Sequence, residues 1–409
     1  MTGPVETIDR RGESPRGAAA LVASYDRWLL AGTVLLVGFG ALMIYSSTSV
    51  VTPALAKKNV SQFYYFKKHI FTMALGTMVM MAAMRVSPSA LKRYSFPLLA
   101  FSIVLLVLVF VPGIGVTAGG ARRWIRLWPS TFQPSELVKL AMVIFLARFL
   151  SMPEYRGDRF VYFAIPVAVM GLFQVVFLKQ PDFGAAMSLG ILTMGMLFLA
   201  GARMRYILYL AALGLPVVAK LLLEPYRFRR ITAFLDPWKD AQGSGFQLVQ
   251  SFIALGSGGL TGLGLGKSHQ KLSFLPEVHT DFIFSMVGEE LGFLTAAGVV
   301  ALFAFLFIRG MRVAGRSGDP FVYYLAFGLS MMIALQALVN FYVVTGLLPT
   351  KGLPLPFMSY GGSSLLVNLA AVGILLGVSR PRQEGGRRDS LGEVLRKKKA
   401  RRAVYGKAR

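Results

Sequence analysis

The residues best suited to chemistry in this chain lie in short polar segments that interrupt a strongly apolar sequence. Glu277, His279 and Asp281 place three ionisable groups directly before the apolar stretch that begins at Phe282. A carboxylate held at such a boundary can take a proton from a hydroxyl group, which then acts as a nucleophile. The other interpretation is that Asp281 caps the helix that follows it.

A second polar segment, residues 119–139, mixes basic, aromatic and acidic side chains. Its candidate site residues are Arg122, Arg123, Trp124, Gln133, Glu136 and Lys139. Glu136 and Lys139 are three positions apart after a helix start at Pro134, so they share one face of that helix. Ionisable groups inside a membrane helix mark a binding site or a pathway. The alternative is a self-neutralising pair that anchors the helix.

Two further turns carry candidate residues. Asp182 lies in Gln-Pro-Asp-Phe-Gly at 180–184, where it either contributes to a site or caps the next helix. Residues 348–364 contain three prolines and three glycines, which exclude a regular helix. The candidate binding residues of this segment are Lys351, Ser359 and Ser363. Its backbone N–H groups could bind an anion ahead of the next helix, and a plain re-entrant turn is the alternative.

The elements that must position these residues are membrane-spanning helices. With 55% hydrophobic residues and a mean hydropathy of +0.58, the chain is too apolar for a water-soluble protein. We predict an all-α polytopic membrane protein of about ten helical spans, with a large extracytoplasmic loop, residues 224–280, between spans 7 and 8. The spans are predicted at 28–46, 69–85, 96–112, 137–152, 161–178, 183–200, 205–222, 282–308, 321–346 and 363–379.

An even number of spans places both ends of the chain on the same side of the membrane. Residues 1–27 form a polar N-terminal tail without the apolar core of a signal peptide, and residues 381–409 form a basic C-terminal tail. Basic residues next to membrane spans favour the cytoplasmic side. We therefore predict that both tails are cytoplasmic and flank one membrane domain at 28–380.

Charge and composition narrow the choice of partners. Part of the net charge of +25 lies in the C-terminal tail, where six of the seven residues at 396–402 are basic, which favours anionic membrane lipids over nucleic acid. Without this tail, basic residues are shared about evenly between the two sides, so the outer face either meets an anionic partner or contacts lipid headgroups.

The chain has no cysteine, which excludes disulfides and thiol catalysis. Residues 262–268 resemble a phosphate-binding loop, but Thr261 stands where that motif needs glycine.

The outer polar segments together suggest a reaction class. Basic groups at the level of the lipid headgroups suit a lipid-linked phosphate or pyrophosphate. A carboxylate beside them suits the deprotonation of a hydroxyl nucleophile. The residues alone therefore indicate a transferase, or a transporter, of a sugar linked to a polyprenyl phosphate.

Five motifs, taken in order along the chain, show a family resemblance. They are Gly-Ala-Arg-Arg-Trp-Ile at 120–125, Phe-Gln-Pro-Ser-Glu-Leu-Val-Lys at 132–139, Gln-Pro-Asp-Phe-Gly at 180–184, Leu-Pro-Glu-Val-His-Thr-Asp-Phe-Ile-Phe at 275–284, and Gly-Leu-Leu-Pro-Thr-Lys-Gly at 346–352 with Ser-Tyr-Gly-Gly-Ser-Ser at 359–364. Throughout the membrane domain the chain resembles the SEDS (shape, elongation, division and sporulation) family. The sequences at 120–124 and 349–352 are most similar to its division branch rather than its elongation branch.

This resemblance implies a peptidoglycan glycosyltransferase of the bacterial inner membrane, with its active site on the periplasmic, or outer, face. Such an enzyme polymerises lipid II through β-1,4 links during septal cell-wall synthesis and releases undecaprenyl diphosphate. Asp281 matches the essential carboxylate of the family, proposed to deprotonate the sugar 4-hydroxyl of the acceptor. The other matched positions are Glu136, Lys139 and Asp182 in a polar cavity, with Arg122, Arg123 and Lys351 as phosphate partners.

The resemblance also implies partners. They are lipid II and the nascent glycan strand, a class B penicillin-binding transpeptidase, other membrane proteins of the division machinery, and membrane lipids. A divalent cation, Mg²⁺ or Mn²⁺, could assist departure of the diphosphate, with ligands that the sequence does not identify; no organic cofactor is expected. The main alternative is a lipid II flippase with the same architecture. A scaffold that has lost activity is disfavoured, because the motif carboxylates and lysines are all present.

Overall fold

A computed structural model shows that the chain folds mainly into long helices. It describes residues 25–48, 63–118, 120–127, 130–222, 225–268, 280–350 and 352–380. The helices are α1 Arg27–Thr48, α2 Tyr64–Ala83, α3 Pro88–Leu108, α4 Pro134–Leu150, α5 Phe160–Lys179, α6 Phe183–Leu199, α7 Met204–Leu222, α8 Pro225–Leu235, α9 Phe246–Ser257, α10 Ile283–Gly315, α11 Pro320–Val344 and α12 Gly362–Ser379. Each predicted span coincides with one of these helices, and α8 and α9 are additional helices of the large loop.

The helical content confirms the predicted all-α class. Among the described residues, six helices are long and apolar enough to cross a membrane unaided: α1, α3, α5, α10, α11 and α12. Helix α4 has only 17 residues and carries Glu136 near its start. The number of membrane crossings therefore stays a prediction.

The core is formed around α4. Every residue from 138 to 147 is buried, as expected for a helix enclosed on all sides by other helices. Helix α4 packs against α3, α6 and α11, and α11 also packs along α10. The helices α4, α10 and α11 carry most of the buried polar groups described below.

A small sheet follows α3, in a polar segment for which the sequence predicted no strand. It is antiparallel, in the order β1 (Gly115–Ala118), β2 (Ala121–Leu127) and β3 (Ser130–Phe132). On β2 only Ala121 and Ile125 are buried. With three arginines and one tryptophan among seven residues, β2 lacks the alternation of apolar and polar residues by which strands are usually predicted.

Helix α10 is broken at Gly292, whose φ of 76° and ψ of −179° are not helical. The turn after α9 lies beside this break. The N–H of Leu263 donates to the carbonyl of Glu289 (3.0 Å), and the N–H of Phe293 donates to the carbonyl of Gly259 (2.9 Å). These bonds satisfy backbone groups that the break deprives of helical partners.

The same contacts explain the glycines that resembled a phosphate-binding loop. Gly262 and Gly264 adopt φ values of +84° and +104°, a region that favours glycine. The N–H of Gly264 donates to the carbonyl of Glu290 (2.9 Å). A side chain at Gly262 would overlap that same carbonyl. These glycines therefore allow the turn to pack against the broken helix.

The described part of the large loop packs on the helices. In α9, the hydroxyl of Ser251 is 2.7 Å from that of Ser285 and donates to the carbonyl of Val344 (2.7 Å), which ties the loop to α10 and α11. A 3₁₀ helix, Pro237–Asp240, precedes α9. Hydrogen bonds from the backbone N–H and the hydroxyl of Ser244 lower the pKa of the Asp240 carboxyl.

The chain divides into a unit at 27–378 and a second unit that combines residues 1–26 with 379–409. In the second unit the described ends of the chain meet. The N–H of Asp26 donates to the hydroxyl of Ser379 (3.0 Å), and the guanidinium of Arg380 lies 3.9 Å from the ring centre of Tyr25. The predicted tails lie mostly outside the described residues.

Candidate active site

An irregular segment, residues 352–355, is bound by side chains of α11. Leu353 is 8% exposed, and its carbonyl accepts a hydrogen bond from Asn340 Nδ2 (2.8 Å). One helical turn earlier on α11, Gln336 Nε2 donates to the carbonyl of Pro354 (3.0 Å). Two amide side chains thus bind two consecutive carbonyls of this segment.

Three further polar positions of this motif are also satisfied or lack an N–H group. The N–H of Leu355 donates to the hydroxyl of Ser359 (2.8 Å). Pro354 and Pro356 have no N–H to satisfy. The prolines and serine of this motif therefore allow non-helical backbone to be buried, as membrane depth requires.

Asp281 lies against the same segment. It is half-buried, and its backbone carbonyl accepts a hydrogen bond from Asn340 Nδ2 (2.8 Å). A Cβ atom at Gly352, where φ is +65°, would lie 3.2 Å from Asp281 Oδ2. The N-cap position of α10 falls on Phe282 rather than on Asp281.

Glu136 and Lys139 form the same-face pair that their spacing predicted. Lys139 Nζ donates to Glu136 Oε1 (2.9 Å), and both residues are only 3% exposed. Lys139 Nζ also donates to Gln336 Oε1 (3.1 Å). Gln336 Nε2 in turn donates to the hydroxyl of Ser364 at the start of α12 (2.8 Å). The pair is therefore linked to the segment that borders Asp281.

A second cluster surrounds Asp182. Arg123 Nη1 lies 3.8 Å from Asp182 Oδ1, and Gln133 Nε2 donates to Asp182 Oδ2 (3.3 Å). The carboxylate also accepts from the N–H of Ala185 (3.1 Å), so it caps α6 as well. The capping interpretation of Asp182 is therefore confirmed, and its role in a substrate site stays a prediction. The cluster joins β2, the start of α4 and the turn between α5 and α6.

Other candidates are used for folding. Arg122 donates from Nη1 to the carbonyl of Phe110 (3.1 Å) and from Nη2 to that of Val111 (3.0 Å), just after the end of α3. The hydroxyl of Ser363 accepts from the N–H of Gln133 (2.8 Å). Trp124 is half-buried on β2. These contacts give the residues structural roles, and Ser359 likewise serves the segment at 352–355.

Three candidates, Glu277, His279 and Lys351, lie outside the described residues. Below Asp281 on α10, Glu289 and Glu290 are 1% and 0% exposed. Ser46 of α1 donates to Glu290 Oε2 (2.7 Å), and Ser268 donates to Glu289 Oε2. The outer part of α10 is thereby bound to α1 and to the turn after α9.

Gln336 and Asn340 were not among the site residues predicted from the sequence. Both are neutral amides in the long apolar run of α11, four positions apart, which puts them on one helical face. An amide pair at that spacing in a membrane span is itself a signal of buried polar contacts. The predicted site residues all lie in or next to the polar segments between spans, whereas these two amides lie inside an apolar span.

The described residues do not assemble a metal site. No three side chains of His, Asp or Glu converge among them. The divalent cation therefore stays a prediction, and no step proposed below runs through one.

Comparison with known proteins places the chain in a family. The family model described as cell cycle protein, covering FtsW, RodA and SpoVE, matches residues 27–384. The chain belongs to this family. It is therefore a polytopic, multi-pass membrane protein, and the resemblance seen in its motifs is confirmed.

Relatives from the FtsW/RodA/SpoVE family are similar over almost their whole length. A protein named probable peptidoglycan glycosyltransferase FtsW, from Geobacter sp. (strain M18), is 46% identical over 88% of this chain and 97% of its own. Stage V sporulation protein E of Bacillus subtilis (strain 168) is 41% identical over 87% of this chain and 97% of its own.

Solved structures of the same family share the fold. A chain from a peptidoglycan synthase complex that coordinates polymerization and crosslinking has a TM-score of 0.74 and 29% identity, covering 88% of this chain and 99% of its own. The rod shape determining protein RodA of Thermus thermophilus has a TM-score of 0.64 and 28% identity, covering 88% and 98%.

Proposed function

We propose that this chain is a peptidoglycan glycosyltransferase of septal cell-wall synthesis, with Asp281 as its general base. The observation that carries the proposal is the placement of Asp281 beside Gly352. The segment that begins at Gly352 is connected through hydrogen bonds of Gln336 to the pair of Lys139 and Glu136. The names of the FtsW relatives support the reaction class.

The proposed substrate is lipid II, together with the growing glycan strand. Asp281 takes the proton of the sugar 4-hydroxyl of the acceptor, and the resulting oxygen attacks the anomeric carbon of the donor. The new β-1,4 bond forms with inversion as the bond from carbon to the diphosphate oxygen breaks. Undecaprenyl diphosphate leaves with that electron pair, and the proton passes from the carboxyl group to water.

Arg123 is the described cation proposed to meet the diphosphate. Its side chain is 29% exposed beside Asp182. Its Nε and Nη2 donate to the carbonyls of Gln180 and Pro181, whereas in Arg122 both terminal nitrogens, Nη1 and Nη2, are bound to backbone carbonyls. A guanidinium group suits phosphate because its planar donors bind two oxygens at once. Lys351 is proposed as a second contact, since it directly precedes Gly352.

The test is polymerisation of lipid II by the purified protein with Asp281→Asn. Loss of the general base is expected to lower the rate by about 10²–10⁴-fold without changing the unfolding temperature. Asp240→Asn, which makes the same change in a loop carboxylate bound by Ser244, is the matched control and should retain the wild-type rate. An Asp281→Asn variant that polymerises like the control would falsify the assignment.

The proposed protein partner is a class B penicillin-binding transpeptidase that crosslinks the new strand. Support comes from the similar chain in a complex that coordinates polymerization and crosslinking. Other membrane proteins of the division machinery and membrane lipids are proposed as further contacts. The assay above is therefore run with and without the transpeptidase.

The protein is proposed to lie in the bacterial inner membrane with both termini cytoplasmic and Asp281 at the outer face. The meeting of Asp26 with Ser379 supports termini on one side, and the basic tail supports the cytoplasmic side. The flippase alternative is not favoured, because the FtsW relatives are named as glycosyltransferases.

A further inference from the structure

One buried amide binds both of the chain segments that meet at Asp281. Asn340 Nδ2 lies 2.8 Å from the carbonyl of Asp281 and 2.8 Å from the carbonyl of Leu353. Asn340 itself is 1% exposed and lies in α11, a continuous helix. An amide nitrogen has two hydrogens, so it can serve both carbonyls at once.

The position of Asp281 depends on such contacts because α10 does not hold it rigidly. The outer part of α10, residues 283–291, is separated from the rest of the helix by the break at Gly292. The helical hydrogen bonds that would fix the outer part relative to the long inner part are interrupted there. The bond from Asn340 is one contact that aligns Asp281 with α11.

The second carbonyl fixes the other side of the site. Leu353 directly follows Gly352, and a Cβ atom at Gly352 would lie 3.2 Å from Asp281 Oδ2. By binding Leu353, Asn340 holds Gly352 against the Asp281 carboxylate. A single side chain thus binds the backbone on both sides of the gap between the carboxylate and the segment that faces it.

We propose that Asn340 is a positioning residue for Asp281, acting through the backbone carbonyls of Asp281 and Leu353. The inference rests on the proposed role of Asp281 as general base. Asn340 acts on the orientation of the carboxylate toward the acceptor hydroxyl, and it makes no contact with the sugar. Its loss should therefore affect the chemical step more than the binding of lipid II.

The test compares Asn340→Leu with Gln174→Leu in the full chain. Leucine keeps most of the volume of the amide and removes its donors. Gln174 is the matched control because its Nε2 also donates to a backbone carbonyl across two helices, that of Ala186 (2.8 Å), between α5 and α6. We expect Asn340→Leu to lower kcat about a hundredfold with KM for lipid II unchanged within about twofold. Gln174→Leu should leave kcat unchanged.

The unfolding temperature separates positioning from a structural role. The inference is supported if Asn340→Leu loses kcat while it unfolds no earlier than Gln174→Leu. It is overturned if kcat stays at the wild-type value, or if kcat and the folded fraction fall in proportion. Should Asn340→Leu fail to fold, Asn340→Ser is measured, whose single hydroxyl donor serves only one carbonyl. A lower kcat at unchanged KM supports the inference in that variant too, and a wild-type kcat overturns it.

Failure of the proposed function gives a different result. If Asp281→Asn remains active, the role of Asp281 is wrong whatever Asn340→Leu does. If Asp281→Asn is inactive and Asn340→Leu has the wild-type kcat, only the positioning inference is lost.

Discussion

The pair of Glu136 and Lys139 shows how single residues are arranged in this protein. Each is 3% exposed, and the distance between Lys139 Nζ and Glu136 Oε1 is 2.9 Å. Moving either charge out of water is costly, and the attraction between them offsets that cost only while both are present. Gln336 adds a further acceptor for the ammonium group.

We predict that Lys139→Met destabilises the protein strongly, because it leaves the Glu136 carboxylate buried without its cation. Breaking one side of a buried ion pair costs about 3–5 kcal/mol. The double variant Glu136→Gln and Lys139→Met, which removes both charges, should recover most of that loss. Thermal unfolding in detergent measures both, and equal midpoints for the two variants would contradict this account.

For single residues, the sequence predicted those contacts whose partners are close along the chain. Glu136 with Lys139 and the cap at Asp182 follow from helical spacing and from capping preference. The sequence could not show that Arg122 turns toward the carbonyls of Phe110 and Val111. That contact depends on the turn after α3, whose geometry no periodic pattern encodes.

Among the elements, α10 departs most from what hydropathy predicts. Its apolar run suggested one uninterrupted span at 282–308, yet the helix breaks at Gly292. The turn after α9 supplies the missing hydrogen bonds. Gly258 packs so closely there that a side chain would overlap the carbonyl of Gly288.

We predict that Gly258→Ala disrupts this packing, whereas Gly256→Ala does not. The two glycines lie two positions apart, and a Cβ atom at Gly256 would meet nothing within 4 Å. In the helix, alanine at 256 should stabilise by up to about 1 kcal/mol. Gly258→Ala should instead lower the unfolding temperature and reduce polymerisation, because Asp281 lies just before the outer part of α10. Equal unfolding temperatures in the two variants would show that the contact is not close.

The elements were otherwise predictable to different degrees. Each helix predicted as a span was found from its apolar length, because a membrane imposes that length on the sequence. The sheet at 115–132 was not found, because its strands are short and rich in arginine. The prolines and glycines predicted that residues 352–355 would not form a regular helix, but they did not indicate that amides of α11 bind this segment.

For the whole molecule, the orientation in the membrane can be measured directly. The chain contains no cysteine, so a single introduced thiol has no competitor. Ser89 and Gln242 are both exposed, the first at the start of α3 and the second in the large loop. We predict that an impermeant maleimide labels Gln242→Cys in intact spheroplasts and Ser89→Cys only after lysis. The reverse pattern would place Asp281 on the cytoplasmic side and refute the proposed orientation.

The break in α10 also has a consequence for how the protein is made. Residues 293–315 are longer than the roughly 20 residues that a bilayer requires, so this part can enter the membrane on its own. Residues 283–291 form a segment that is too short to do so. The hydrogen bonds that its backbone lacks at the break come from the turn after α9, which the ribosome has already synthesised. In the proposed orientation, Asp281 therefore reaches its place only after translocation of the large loop, so the proposed catalytic centre matures after membrane insertion rather than with it.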